Sequence, residues 1–77
     1  MPERGLSEAM IATVRERMVE QRLSGRALAE RIGMDATTLA AHLRGEGKVE
    51  LEEWDALAVT LGASGLEELL AEARRRE

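Results

Sequence analysis

The segment from Leu28 to Gly45 constrains the fold more than any other part of this 77-residue chain. Leu28, Ala29 and Ile32 have the spacing i, i+1 and i+4, which places them on one face of a helix. Gly33 follows at the position where a left-handed residue ends a helix sharply. Glycine adopts that conformation without steric cost, so the pattern predicts a short helix with a tight turn after it.

A second short helix is predicted directly after this turn. Asp35 is a good N-cap, and Leu39 and Leu43 lie four residues apart, which gives the new helix its own buried stripe. Two helices joined by a glycine turn form a helix-turn-helix pattern, whose second helix commonly enters the major groove of DNA. We place this motif at residues 25–44 and its recognition helix at about 36–44.

The pattern resembles the lambda-repressor-like family of helix-turn-helix proteins, also called Cro/C1-type or XRE-like. Roughly two-thirds of the chain carries the resemblance, which therefore extends well beyond the motif. It begins at Leu23 and Ser24, includes Arg44 and Gly45, and continues through the positions of the family's fourth helix, namely Leu51, Trp54, Leu57, Ala58, Leu61 and Gly62.

The resemblance implies an all-α fold, a five-helix lambda-repressor-like DNA-binding domain with a central helix-turn-helix. Residues 1–6 are expected to be a flexible N-terminal tail and residues 7–77 a single domain. Caps and apolar spacing predict a first helix from Ser7 to about Arg22, a second that Ser24 caps, and a fourth from about Leu51 to Leu61. Ser64 and Glu67 have the spacing of a capping box that opens a fifth helix.

The predicted core combines the apolar stripes of these helices. Trp54, the only aromatic residue, has helical spacing with Leu51 and Leu57. We therefore interpret it as a core anchor and only secondarily as a stacking platform for single-stranded nucleic acid. The first helix contributes Met10, Ile11, Val14 and Met18, and the residues expected to be largely buried elsewhere are Leu28, Ile32, Leu39, Leu43, Trp54, Leu57 and Leu61.

Composition argues against several classes of protein. The chain has no cysteine and one histidine, so we expect no metal site and no cofactor. No nucleophile–base pair or phosphate-cradling glycine loop is recognisable, so we expect no catalytic residue, no small-molecule substrate and no enzyme. Apolar runs are too short to cross a membrane, and the first residues do not resemble a secretory signal, so a cytoplasmic protein is expected.

Charge is unevenly distributed along the chain, whose net charge is −4. Residues 22–48 contain five cationic and three acidic side chains, a net charge of +2. Residues 49–77 contain three arginines and eight acidic side chains, a net charge of −5. Because charges are screened over about 8 Å at physiological salt, the local positive charge of the motif is compatible with a DNA partner.

The outward face of the recognition helix is composed of small residues. At about 100° per residue, Thr37, Ala41 and Arg44 form one stripe opposite Leu39 and Leu43. By resemblance to the family, the residues that face DNA bases are Ala36, Thr37, Thr38 and Ala41. Threonine hydroxyl and methyl groups can contact base edges, but these four residues include no Arg, Asn or Gln that could make bidentate contacts. We therefore expect specificity to depend in part on DNA shape.

Phosphate contacts are expected from cations at the two ends of the motif: Arg26, His42, Arg44 and Lys48. Arg26 lies in the first turn of the second helix, where backbone N–H groups also favour an anion. Gly25 stands where the family often has a glutamine that contacts the DNA backbone, so one contact is missing. For His42, half-burial against the first helix is an equal alternative to a phosphate contact.

The fifth helix carries an apolar stripe that is wider than this small core needs. Leu66, Leu69, Leu70 and Ala73 have the spacing i, i+3, i+4 and i+7. We interpret the stripe as a homodimer interface that would place two motifs on a pseudo-palindrome. The alternative is that all three leucines complete the core of the monomer.

Together these features predict a small, sequence-specific transcriptional regulator that binds double-stranded DNA, similar to phage Cro proteins and minimal repressors. The competing class is a protein-interaction helix-turn-helix module, such as an antitoxin or a regulatory subunit. Such a module would use the acidic fourth and fifth helices to hold a basic partner.

Overall fold

The computed structural model describes residues 2–76, with side chains from residue 5 onward. The five helices are α1 (Pro2–Glu20), α2 (Gly25–Ile32), α3 (Ala36–Leu43), α4 (Leu51–Thr60) and α5 (Leu66–Arg76). Residues 2–76 contain no strand. The predicted all-α fold with five helices is confirmed.

The helices enclose one hydrophobic core in a body of 31 × 24 × 21 Å. The long helix α1 packs chiefly against α5 and also contacts α3, whereas α2 lies between α3 and α4. Helix α4 in turn packs on α5. The buried apolar residues come from all five helices and the α4–α5 turn: Met10, Val14, Leu28, Ala29, Leu39, Leu57, Ala58, Leu61, Ala63, Leu69 and Ala73.

The first four helices end in the same way, with a residue of positive φ in the turn that follows. The next N–H group donates to the carbonyl oxygen five residues back, at 2.9 Å in every case, as in a Schellman motif. Three of these turns use glycine, but α1 uses Arg22, with φ of 54°. The four hydrogen bonds are Leu23 to Met18, Met34 to Ala29, Glu46 to Ala41, and Ala63 to Ala58.

Arg17 connects α1 to the two C-terminal helices. Its Nη1 donates to the carbonyl oxygen of Leu61, at the end of α4, over 2.9 Å. Its Nε and Nη2 donate to the carboxylate of Glu72 on α5 over 3.0 and 2.8 Å. The hydrogen bond and the negative charge of Glu72, followed by the charge of Glu68, raise the pKa of Arg17 above its ordinary value. This cation therefore joins three helices.

Thr13 is a fully buried polar residue in the middle of α1. Its hydroxyl donates to the carbonyl oxygen of Ala9 at 2.7 Å and accepts from Nε of Arg76 at 2.8 Å. The guanidinium of Arg76 also contacts Glu16. The last turn of α5 is thereby attached to α1, and the buried hydroxyl is satisfied on both sides.

Two predicted helix starts are corrected by the structure. Helix α1 begins at Pro2, so residues 2–6 are helical, and Ser7, the predicted start, lies inside the helix. Proline is favoured in the first turn, and Leu6 packs against the core. At α5, the Ser64 hydroxyl and N–H donate to Glu68, not to the predicted Glu67.

Burial differs from the prediction at six apolar residues, of which Ile11 and Met18 of α1 are half-buried. Leu28, Leu39, Leu57 and Leu61 are buried as predicted. Ile32, Leu43 and Trp54 are half-buried and pack at the edge of the core. Leu51 is 72% exposed, which contradicts its assignment to the buried stripe of α4. It lies in the first turn of α4, at the margin of the buried arc, where none of the described helices covers it.

Candidate nucleic-acid interface

The helix-turn-helix motif is built from local hydrogen bonds. Ser24 caps α2 by accepting the N–H of Ala27 at 3.1 Å. Gly33, with φ of 74°, ends α2 in the left-handed conformation predicted for it. Asp35 then caps α3, because its Oδ2 accepts the N–H groups of Thr37 and Thr38 at 3.0 and 3.2 Å. The predicted caps and the glycine turn of the motif are therefore confirmed.

Apolar contacts set how the two helices of the motif lie against each other and the core. Leu28 and Leu39 are fully buried, and Ala29 is 1% exposed. Ala29 has no side chain beyond Cβ, so α3 can approach α2 closely. With Leu39 turned inward, the opposite side of α3 faces solvent.

The solvent-facing side of α3 contains most of the predicted base-facing residues. Ala36, Thr37 and Thr38 are exposed, and Ala41 is half-buried. Ala40 is exposed as well. We call Ala36, Thr37, Thr38, Ala40 and Ala41 the outer face of α3. No side chain in this set is longer than threonine, so a flat partner can approach the α3 backbone closely.

Three predicted phosphate-binding cations are exposed around this outer face. Arg26 lies in the first turn of α2 and Lys48 in the loop between α3 and α4. Neither forms an ion pair with a described side chain. Both cations can therefore accept an anion without first breaking one of the described ion pairs.

Arg44 is the third of these cations, and it already has a partner. Its Nε lies 3.0 Å from a carboxylate oxygen of Glu46. The hydrogen bond and charge of Glu46 raise the pKa of Arg44, and the same interaction lowers the pKa of Glu46. Because both side chains are more than half exposed, this ion pair contributes little to stability and can be exchanged for a phosphate.

The ring nitrogens of His42 face groups of the protein itself. Its Nδ1 lies 3.3 Å from the carbonyl oxygen of Glu46, and its Nε2 lies 3.8 Å from the carboxylate of Glu53. The side chain is only 11% exposed. Glu53 also accepts the N–H of Glu50 at the start of α4, so it is fixed in place. His42 is half-buried, as in one of its two predicted roles, and its ring nitrogens join the end of α3 to the following loop and to α4.

Arg15 of α1 lies at the end of α3, and the sequence reading did not find it. Its Nε and Nη2 donate to the carbonyl oxygen of Leu43 over 3.2 and 2.8 Å. A cation at the C-terminal end of a helix is favourable for the helix dipole as well. The two residues are 28 positions apart, and no local pattern marks Arg15 among the exposed cations of α1.

The predicted dimer residues of α5 divide into two pairs. Leu69 and Ala73 have no exposed surface, because α5 packs them against α1 and α4. Leu66 and Leu70 are half-buried and border the core. Asp55 of α4 accepts the N–H of Leu66 at 2.9 Å, so the start of α5 lies beside α4. The monomer therefore uses half of the predicted stripe for its own core.

The part of the chain that the structure describes was also searched for a metal-binding cluster and for a membrane-spanning helix. Within residues 2–76, the side chains that the structure describes include no group of three histidines or carboxylates that could hold a metal ion. None of the helices in the same range is long and apolar enough to cross a membrane.

Comparison with known proteins identifies the family. A family model described as a helix-turn-helix domain matches residues 9–73, which include the whole motif and helices α2, α3 and α4. Neither the curated proteins nor the solved structures gave a match. The match covers most of the chain and agrees with the two capped helices and the glycine turn of the structure. The chain belongs to the helix-turn-helix domain family.

Proposed function

We propose that this protein is a small transcriptional regulator of the Cro or repressor type that binds double-stranded DNA. Helix α3 would lie in the major groove with its outer face toward the base edges. The observation that carries the proposal is this outer face. It consists of five small residues that are exposed or half-buried, and the buried Leu39 fixes the opposite side of the helix in the core. The proposal is for a binding protein and assigns no catalytic residue.

The proposed contacts fall into two groups. Ala36, Thr37, Thr38 and Ala41 would face bases, where threonine offers one hydroxyl and a methyl group. Such contacts discriminate weakly, so part of the specificity would come from DNA shape and deformability. The cations proposed to contact phosphates are Arg26, Arg44 and Lys48. His42 is omitted because its ring nitrogens face Glu46 and Glu53.

Selection of duplexes from a random DNA pool, at low and at physiological salt, tests the proposal. We expect the wild type to enrich a preferred sequence and to bind more weakly as salt rises. Arg26→Ala should lower affinity for all duplexes and reduce the slope of log K against log salt by about one. Thr37→Ala should instead weaken the preference for one base at one position, by less than the about 1–3 kcal/mol of a bidentate contact.

Arg75→Ala is the matched control for these variants, because Arg75 is an exposed arginine on α5 that lies away from the motif and on a different helical face from Leu66 and Leu70. Its binding and salt slope should equal those of the wild type. The docking arrangement is wrong if Arg26→Ala and Arg44→Ala together leave the salt slope unchanged.

We also propose that the protein binds DNA as a homodimer through the surface where α4 and α5 meet. Leu66 and Leu70 remain partly exposed there, and Val59, one turn beyond Asp55 on α4, is 53% exposed. A dimer would remove these apolar side chains from water and couple two motifs on one pseudo-palindrome.

Sedimentation equilibrium with and without the selected duplex tests the dimer. Leu70→Glu should give a monomer that circular dichroism shows to be folded, whereas Leu51→Glu, at an exposed leucine in the first turn of α4, should not change the association state. A wild type that stays monomeric both free and on DNA contradicts this part of the proposal.

A protein-interaction module is the second candidate function. The observation that favours it is the exposed acidic surface of α4 and α5, which includes Glu52, Asp55, Glu67 and Glu68 beside the exposed Val59. A basic partner, as expected for an antitoxin or a regulatory subunit, would complement this surface. Failure to enrich any duplex in the selection would favour this candidate.

A further inference from the structure

We propose that a groove between α1 and the α3–α4 loop binds a small aromatic carboxylate. The groove has a volume of about 730 Å³ and opens to solvent. It lies between the N-terminal half of α1 on one side and residues 42–49 on the other. This proposal concerns a ligand and not a substrate, and it does not depend on DNA binding.

Apolar side chains from three parts of the chain line the groove. Trp54 of α4, Ile11 of α1 and Leu43 of α3 are all half-buried, so each keeps apolar surface in contact with water. Val49 of the loop adds a fourth half-buried apolar group. A volume of this size lies in the range of small-molecule sites. A planar aromatic ring is suited to it, because it can stack on or meet the edge of the Trp54 indole.

The charged side chains that line the same groove favour an anionic ligand. Its lining contains three cations, Arg15, Arg44 and Lys48, and one carboxylate, Glu8, in a chain whose net charge is −4. Arg15 is hydrogen-bonded to the neutral carbonyl of Leu43, and Lys48 has no described ion pair. Only Arg44 is neutralised by a described acid, Glu46.

The combination of these two features defines the ligand. An apolar lining alone would accept a neutral hydrocarbon, and exposed cations alone would accept any anion. A carboxylate attached to an aromatic ring satisfies both, with its ring at Trp54 and its charge toward Lys48 and Arg15. An acidic peptide is a different occupant, which would need contacts beyond the ends of this groove.

Titration of the full chain with phenylbutyrate, in the absence of DNA, tests the proposal. Trp54 is the only tryptophan and lines the groove, so a fluorescence change of the folded protein reports on binding next to it. We expect a saturable change with a Kd of about 1 mM, which is appropriate for a ligand of about a dozen heavy atoms. Phenylbutyramide has the same ring without the charge and should bind about fivefold or more weakly.

Two matched variants separate a site from non-specific attraction. Lys48→Ala should weaken phenylbutyrate binding by about three- to tenfold, because it removes an exposed cation of the lining. Arg74→Ala removes an equal charge on α5 and should leave the Kd unchanged. Circular dichroism should show that both variants keep the helical fold, since both residues are exposed.

The proposal is overturned by no saturable change, by equal binding of the amide, or by a Kd insensitive to Lys48→Ala. It is also overturned if a glutamate-rich peptide binds in this assay while phenylbutyrate does not. Because the assay contains no DNA, any of these results leaves the proposed DNA binding standing, and failure of DNA binding leaves this site standing.

Discussion

The helix-turn-helix half of the molecule, α2 and α3, is held by short-range contacts, whereas α1, α4 and α5 are held by long-range ones. In the motif, the capping hydrogen bonds of Ser24 and Asp35 span two or three residues. Outside it, arginines reach across the fold: Arg17 to Leu61 spans 44 positions, and Arg76 to Thr13 spans 63. Hydrogen bonds between neighbouring residues thus form the recognition surface, and hydrogen bonds between residues far apart in the chain hold it in position.

Arg15 and Arg17 show how the two halves are joined. They lie two residues apart on α1 and donate to the last carbonyls of two different helices, Leu43 of α3 and Leu61 of α4. Each arginine thereby satisfies a carbonyl that a helix end leaves without an intrahelical partner. Helix α1 therefore fixes the end of α3, in the motif, relative to the end of α4, outside it.

The largest expected effect comes from the core, which both halves share. Leu39→Ala in α3 and Leu69→Ala in α5 each remove a fully buried side chain and should destabilise the protein by about 2–5 kcal/mol. Chemical denaturation, followed by Trp54 fluorescence and by circular dichroism, measures this. Coincident transitions are expected in both variants. If Leu39→Ala melts the motif while the rest stays folded, the two halves do not form one cooperative unit.

A smaller effect is expected for the long-range half at Arg17. Its side chain is 16% exposed and bonds to Leu61, Glu68 and Glu72, so Arg17→Ala should cost about 1–3 kcal/mol. The same denaturation experiment measures it. The exposed Arg74→Ala serves as the control and should change stability by less than about 0.5 kcal/mol. Equal effects of the two substitutions would show that the Arg17 contacts contribute nothing to stability.

The short-range half is tested at Asp35. Asp35→Ala removes the cap that accepts the N–H groups of Thr37 and Thr38, and should cost about 1 kcal/mol. Asp35→Asn keeps an acceptor oxygen and should retain most of that stability. Thermal unfolding of both variants provides the comparison. A full loss of stability in the asparagine variant would mean that the charge of Asp35, and not its hydrogen bonds, stabilises α3.

The smallest expected effect concerns the turn that leads into the motif. Arg22 has φ of 54°, a conformation that is strained for a residue with a Cβ atom. Arg22→Gly should therefore raise the free energy of unfolding by about 0.5–1 kcal/mol. Arg31→Gly, inside α2, should lower it by about 1 kcal/mol. A destabilised Arg22→Gly variant would show that its side chain contributes more than the strain costs.

How well each half can be predicted from the sequence depends on how far apart its contacting residues lie along the chain. Ser24, Gly33 and Asp35 were identified correctly because a cap or a turn needs a certain residue type at a fixed local spacing. Helix α1 was predicted to start too late, since the packing of Leu6 on the core depends on residues far along the chain. Leu51 was assigned to the core by its periodicity, which cannot show whether another element covers it.

The candidate site was predictable to a similar degree. The exposure of Ala36, Thr37 and Thr38 follows from the burial of Leu39 on the opposite side of α3. The environment of His42 could not be predicted, because Glu53 lies on another helix and the Glu46 carbonyl lies in a loop. Arg15 was missed for the same reason.

The measurement that tests the central claim most directly is a map of backbone amide chemical shifts, recorded as the isotope-labelled protein is titrated with its selected duplex. The outer face of α3 is proposed to read DNA, so the largest changes should occur at Ala36–Ala41, with further changes at Arg26 and Lys48. Amides of α5 should change only where the proposed dimer surface at Leu66 and Leu70 forms. Changes concentrated on α4 and α5, with α3 unaffected, would contradict the account.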